Sequence, residues 1–284
     1  MLIRIISGII AAALLVFVLL LPPVFFAAAV LAVSCVALYE YRSAMKQRGI
    51  NVDLPVSWAA ALVITAHACI STLPEESKAG ISGKSGNYFP SSLLFAAVFV
   101  IVAYLFCRML YGNRKMRLDD AAYTLLGIAY IPFLLSFAVM VRNMDRGFEY
   151  IWLVVIGASV TDIFAYFAGT FFGRHKIIPD ISPKKTVEGS LGGALGCMVT
   201  MMLYGIIFLN RHGIPPVAAY HFAAMGLLCG VLSQIGDWSA SAVKRSAGIK
   251  DFGWIIPGHG GIMDRCDSYL FVAPAVYFYI ILFF

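Results

Sequence analysis

The sequence predicts an all-α, polytopic integral membrane protein of about nine transmembrane helices, with its N-terminus on the cytoplasmic side. Three observations carry that prediction. Hydrophobic residues make up 61% of the chain and charged residues only 13%, where a soluble domain carries about 25% charged residues. The apolar residues are gathered into runs of about 17–23, close to the ~20 that a helix needs to cross the hydrocarbon layer. The basic residues are segregated to alternate connections between those runs.

The runs fall at 3–21, 23–39, 56–73, 89–110, 121–141, 150–172, 190–209, 216–235 and 268–284. Pro22-Pro23 separates the first two, because a proline cannot continue a preceding helix but starts a new one well. The first run is too long for a cleaved signal segment and leads directly into the second, so it reads as a retained anchor. The third is broken by Thr65, His67 and Ser71, and the last is the shortest. There is no internal repeat. The chain reads as one membrane domain, 1–284, with N-terminal helices over 1–141 and a more polar C-terminal half over 150–284.

With nine spans, one side of the membrane receives Arg4, Arg42, Lys46, Arg48, Arg108, Arg114, Lys115, Arg117, Arg174, Lys176, Lys184, Lys185, Lys244, Arg245, Lys250 and Arg265. The other side receives Lys78, Lys84, Arg142, Arg146 and Arg211. The positive-inside rule puts the first set in the cytoplasm. The net charge of +6 is thereby concentrated at one face, where it suits an anionic headgroup or a nucleotide. It is not expected to bind nucleic acid, because its distribution is the one topology requires. For Arg42 to Arg48 and Arg114 to Arg117, setting topology is explanation enough. The six cysteines show no metal or redox spacing, and no disulfide framework is expected.

Two segments on the basic side hold more polar residues than topology needs. The first is Ser182-Pro183-Lys184-Lys185-Thr186-Val187-Glu188-Gly189, preceded by Arg174-His175-Lys176. Paired lysines among hydroxyls and glycines make a plausible phosphate cradle, although the order of a Walker A loop is absent. The second runs from Gly236 to Asp267 and holds Asp237, Asp251, Asp264 and Asp267 among Lys244, Arg245, Lys250, Arg265 and His259, with Gly258, Gly260 and Gly261 around the histidine. Asp264 and Asp267 share a face if that stretch is helical. Hard carboxylate oxygens beside basic residues suit a Mg²⁺ ion that also accepts substrate phosphates, and the set points to phosphoryl or nucleotidyl transfer. Asp162 lies within the sixth run, where an ionisable residue marks either function or a buried partner. Ser159, Thr161 and Tyr166 are candidate oxygens for a polar cavity around it.

The run Ser241-x-Val243-Lys244-Arg245-x₄-Lys250-Asp251-x-Gly253-x₂-Ile256-Pro257-x-His259-Gly260-Gly261-Ile262-x-Asp264-Arg265-x-Asp267 resembles the signature of the phosphatidate cytidylyltransferase (CDP-diacylglycerol synthase) family. So does Asp162-x₂-Ala165-Tyr166-x₂-Gly169-x₃-Gly173 with the Ser182–Gly189 segment. The resemblance covers about residues 150–284. Two positions depart from it: Ala240 stands where many members have Glu, and Cys266 where an aliphatic residue is usual.

The resemblance implies transfer of CMP from CTP to phosphatidate, in the plasma membrane, with the active site facing the cytoplasm. It further implies Mg²⁺, with a second cation such as K⁺ left open, and a homodimer. As catalytic residues it implies Asp264, Asp267, Asp237, Lys244, Arg245 and His259, the histidine as a phosphate contact rather than a base. For the nucleotide it implies Lys184, Lys185, Ser182, Thr186, Lys250, Arg265, Gly260 and Gly261, and for the metal Asp264, Asp267, Asp237, Asp251 and Asp162. Transfer to another lipid phosphate, cation-coupled transport through Asp162, and a purely structural membrane role are the competing readings. The transporter reading lacks the internal repeat common in such folds, and a structural role leaves the aspartates unexplained.

Overall fold

The computed structural model describes residues 2–72, 89–111, 116–211, 216–255 and 260–284. Among these the chain forms nine helices: α1 (Leu2–Leu20), α2 (Pro23–Lys46), α3 (Leu54–Ser71), α4 (Phe89–Tyr111), α5 (Leu118–Arg142), α6 (Gly147–Phe172), α7 (Val187–Leu209), α8 (Ala219–Ser246) and α9 (Met263–Phe283). No strand is present among the described residues; an isolated bridge joins Lys176 and Thr186. Eight of the nine helices are long and apolar enough to cross a membrane. The exception to the expected nine is α1, whose apolar stretch runs from Ile6 to Leu20.

The boundaries of the last two helices differ from the expected spans in a way that matters for function. Helix α8 does not stop near residue 235 but continues to Ser246. Helix α9 starts at Met263, not 268. Asp237, Lys244 and Arg245 are therefore on one helix and Asp264, Arg265 and Asp267 on another, rather than in one long connecting loop. Hydropathy marks only the apolar part of a helix. The 28 residues of α8 extend about 42 Å, so one end must pass beyond the hydrocarbon.

The chain divides into two compact units, Met1–Asp145 with Ala247–Asp264, and Arg146–Ser246 with Arg265–Phe284. In the first unit, α3 packs against α2, α4 and α5. Polar contacts fix the helix starts. Asp53 caps α3 by accepting from Val56 N–H at 3.4 Å, and its other oxygen takes a 2.7 Å ion pair from Arg108 of α4. Asp120 accepts from Arg117 N–H at 3.0 Å and from Asn51 N–H at 2.7 Å, joining the start of α5 to the α2–α3 turn. Pro132 lies inside α5, where the missing N–H is accommodated by a π-turn over Ala129–Phe133.

In the second unit, α7 packs against α6 on one side and α8 on the other, and it does so through glycines. A Cβ on Gly189 or Gly193 would meet the Ala165 or Thr161 carbonyl of α6 at 2.8 and 2.9 Å. A Cβ on Gly226 or Gly230 of α8 would meet the α7 backbone at Met198 or Ala194, both at 2.7 Å. Lipid offers no hydrophobic drive for helices to associate, so close backbone approach supplies the attraction instead. A substitution of Gly193 by Ala puts a methyl against a carbonyl that cannot move independently of its helix. It is expected to cost about 1–3 kcal/mol, read as a fall in the thermal unfolding midpoint of detergent-purified protein.

Candidate functional site

Within the second unit the polar residues converge on Lys185. Its ammonium forms an ion pair with Asp237 Oδ2 of α8. Asp162, Asp267 and Lys244 are all within electrostatic reach of it, and Arg265 is within reach of Asp162. Three carboxylates and three cations from α6, α8, α9 and the α6–α7 connection thus share one neighbourhood. Burial holds the Lys185 amine below the usual lysine value; Asp162 and Asp267 pull it back up, while Lys244 lowers it further. Lys244 and Asp267 are buried, whereas Asp162 is exposed. A carboxylate on a membrane-spanning helix needs water, a counter-ion or a ligand, and Lys185 and Arg265 supply opposite charge.

The connection that carries Lys185 is held by local bonds. Val187 N–H donates to His175 O at 2.8 Å and Ile177 N–H to Lys185 O at 3.3 Å, forming a small hairpin. Glu188 closes it by accepting from Arg174 N–H at 3.0 Å and pairing with His175 Nδ1 at 2.6 Å. Thr186, expected at the phosphate, instead caps α7: its Oγ1 accepts from Gly189 N–H at 3.2 Å and is buried. The same cap seats Lys185 beside α8. Ser182 contributes through its backbone, its N–H bonded to Ile178 O at 2.9 Å and its carbonyl accepting from Lys185 N–H at 3.2 Å. Lys184 is exposed. Arg245 reaches back from α8, its Nε donating to Ile181 O at 3.3 Å.

Further polar contacts join these helices. Helix α6 widens into a π-turn over Ile156–Val160 shortly before Asp162, a distortion frequent at functional sites. Ser159 Oγ meets Tyr269 OH of α9 at 2.9 Å, and buried Gln234 of α8 bonds Ser190 of α7. Of the oxygens expected near Asp162, Thr161 instead donates to Gly157 O at 2.7 Å. Tyr166 is 68% exposed on the aromatic outer face of α6. Ala240, the departure from the family pattern, is fully buried.

The remaining predicted residues belong to the first unit. Asp264 Oδ2 accepts from Phe252 N–H at 2.8 Å and Gly261 N–H at 3.0 Å, closing the 252–264 segment on itself. Gly260 has φ +84°, and a Cβ there would lie 2.9 Å from Asp264 Oδ2 and 3.5 Å from Asp251 Cβ. Asp251 and Lys250 are exposed. His259, with Ile256, Pro257 and Gly258, lies outside the described residues, as do Lys78, Lys84, Arg114, Lys115 and His212. Glu40 of α2 was not singled out from sequence, yet it binds this segment through Ile262 and Met263 N–H at 3.1 and 2.8 Å. The signal was present: it is the first acidic residue of the chain and continues an apolar run.

No three His, Cys, Asp or Glu side chains among the described residues form a ready-made metal cage. That donor set fits Mg²⁺ nonetheless, since Mg²⁺ usually takes one or two carboxylates and fills its remaining positions with waters and substrate phosphates. A family model described as "Cytidylyltransferase family" matches residues 2–283. The chain belongs to the cytidylyltransferase family. Among its relatives, a protein of Bacillus subtilis (strain 168) named phosphatidate cytidylyltransferase is 36% identical over 188 residues, covering 66% of this chain and 68% of that one. A protein of the same name from Synechocystis sp. (strain ATCC 27184 / PCC 6803 / Kazusa) is 33% identical over 291 aligned positions, covering 98% of this chain and 96% of its own. This cytidylyltransferase-family chain therefore resembles the Synechocystis protein across its N-terminal helices as well as its motifs.

The position of Lys185 yields a sharp expectation. Lys185→Met leaves Asp162, Asp237 and Asp267 without their shared cation and is expected to lower kcat/KM for nucleotide turnover by at least about a hundredfold. Lys185→Arg restores the charge but replaces a compact ammonium with a planar fork, so steady-state kinetics are expected to show less than about a tenth of the activity recovered.

Proposed function

We propose that the protein transfers CMP from CTP to phosphatidate, releasing pyrophosphate and leaving CDP-diacylglycerol in the bilayer. The observation that carries the reading is the grouping of Asp162, Asp237 and Asp267 with Lys185, Lys244 and Arg265, in a chain of the cytidylyltransferase family. Alternating charge density supports neutralisation of a triphosphate better than ion transport, because both signs are present and paired.

In the proposed reaction a phosphate oxygen of the lipid attacks the α-phosphorus of CTP. A new P–O bond forms there, and the bond to the bridging oxygen breaks as pyrophosphate leaves. The lipid phosphate is already anionic at neutral pH, so no strong base is needed to generate the nucleophile. Lys185, Lys244 and Arg265 supply positive charge for the oxygens of the triphosphate, and their fixed placement avoids reorganisation during reaction. A Mg²⁺ ion, held by one or two of Asp162, Asp237 and Asp267, would neutralise the triphosphate and stabilise the leaving group. Asp264 and Asp251 are further carboxylates of the same reaction, and Lys184 and Arg245 are outer phosphate contacts beside Lys185.

Orientation follows from chain order. The connections after α2, α4, α6 and α8 lie on one side by alternation, whether or not α1 spans the bilayer. They hold Arg48, Arg117, Lys184, Lys185 and Lys250, and the positive-inside rule supports a cytoplasmic site in the plasma membrane. That is where CTP is available and where a lipid headgroup meets water.

The test is pyrophosphate release by purified protein in mixed micelles. Release is expected to require both CTP and phosphatidate and to stop when EDTA removes divalent cations. Asp267→Asn and Asp237→Asn are each expected to lower kcat by about a hundredfold or more, with membrane insertion unchanged. Equal release without phosphatidate would refute the assignment of the acceptor, and full activity in EDTA would refute the metal.

A further inference from the structure

Glu40 is 3% exposed near the C-terminal end of α2, inside a membrane-spanning segment. No Lys or Arg among the described residues pairs with it. An ionisable side chain at such a place is costly and needs compensation. Its compensation is backbone. Oε1 accepts from Ile262 N–H at 3.1 Å, and Oε2 accepts from Met263 N–H at 2.8 Å. These are orphan donors at the start of α9, where the helix dipole also favours negative charge. Caps are usually supplied by Ser, Thr, Asp or Asn at the helix start. Ile262 stands there and has no acceptor, so the cap comes from 222 residues earlier in the chain.

The glycines around this carboxylate show that the fit is close. A Cβ on Gly261 would lie 2.4 Å from Glu40 Oε2, and a Cβ on Gly253 would lie 2.4 Å from Glu40 Oε1. Any other residue at either position would displace the carboxylate. Asp264 completes the arrangement by taking the N–H groups of Phe252 and Gly261 on its Oδ2. Two carboxylates thus hold four backbone donors between residues 252 and 263. One comes from α2 and the other from α9 itself.

We infer that Glu40 is a positioning residue for nucleotidyl transfer: its bidentate grip on Ile262 and Met263 holds the turn at Gly260–Gly261 and sets where the first turn of α9 presents Asp264. This rests on the reaction proposed above, with Asp264 in it. The carboxylate never touches substrate; it acts through the turn. The geometry also explains why the sequence needs glycine at both 253 and 261, neither of which has a positive φ.

The experiment combines kinetics with hydrogen exchange on the full chain in detergent. Glu40→Ala is expected to lower kcat by about a hundredfold, the scale of a small misplacement of reacting groups. Glu40→Gln keeps one acceptor and is expected to lose only about tenfold. KM for CTP should stay within about threefold in both, since the defect is in placement rather than binding. Gly261→Ala displaces the same carboxylate, so the Glu40→Ala, Gly261→Ala double variant should fall no further than Glu40→Ala alone. Amide exchange over 261–264 should rise at least about tenfold in Glu40→Ala, with exchange in α7 unchanged. A kcat within twofold of wild type, losses that add in the double variant, or unaltered exchange at 261–264 would each overturn the inference. If Glu40→Ala does not fold, Glu40→Gln carries the same comparisons. Should the wild-type protein release no pyrophosphate from CTP with phosphatidate, the reaction reading fails on its own, and the exchange data still decide whether Glu40 anchors the turn.

Discussion

The ion pair between Lys185 and Asp237 is the contact on which the rest of the second unit depends. A lone ammonium or carboxylate at the edge of an apolar slab is expensive, whereas a pair that also faces further opposite charge is tolerated. The pairing joins the α6–α7 hairpin to α8, and the fields of Asp162 and Asp267 bring α6 and α9 to the same point. Close helix packing makes this possible. Glycines on α7 and α8 let three backbones approach until short polar side chains can meet. The site and the packing are therefore one arrangement, since widening the helix spacing would separate the charges.

The first unit solves a different problem with the same tools. Its polar side chains mostly bond backbone: Asp53, Asp120, Glu40 and Asp264 each accept from N–H groups at helix starts or turns. Glu40, Asp53 and Asp120 are buried, so the donors they meet are satisfied by side chains instead of solvent. Two such carboxylates explain Gly253, Gly260 and Gly261: each approach of carboxylate to backbone leaves no space for a Cβ.

Much of this was legible in the sequence because it depends on composition and local spacing. The helical class, the positions of the spans and the sidedness of the charges follow from hydropathy and from where Lys and Arg fall. Asp162, Lys185, Asp237 and Asp267 were also singled out from the sequence, because charged residues at the ends of apolar runs need a reason. The ends of α8 and α9 were not legible, since hydropathy falls before the helix stops. Thr186 looked like a phosphate ligand because a hydroxyl beside lysines has that chemistry; its capping role depends on where α7 begins. The pairs Gly189/Gly193 and Gly226/Gly230 have a four-residue spacing that suits close helix contact, a signal that hydropathy does not read.

By itself, then, the sequence determined that this chain lives in a bilayer, that its positive charge is gathered on alternate connections, and that its C-terminal half holds acid and base in a family pattern. Those properties are sums over neighbouring residues and survive without coordinates. Only the tertiary structure decided which carboxylate meets which cation. It also decided that Glu40, far away along the chain, caps α9. Such contacts join residues separated by tens to hundreds of positions, and their selection depends on backbone spacing and direction that no local pattern encodes.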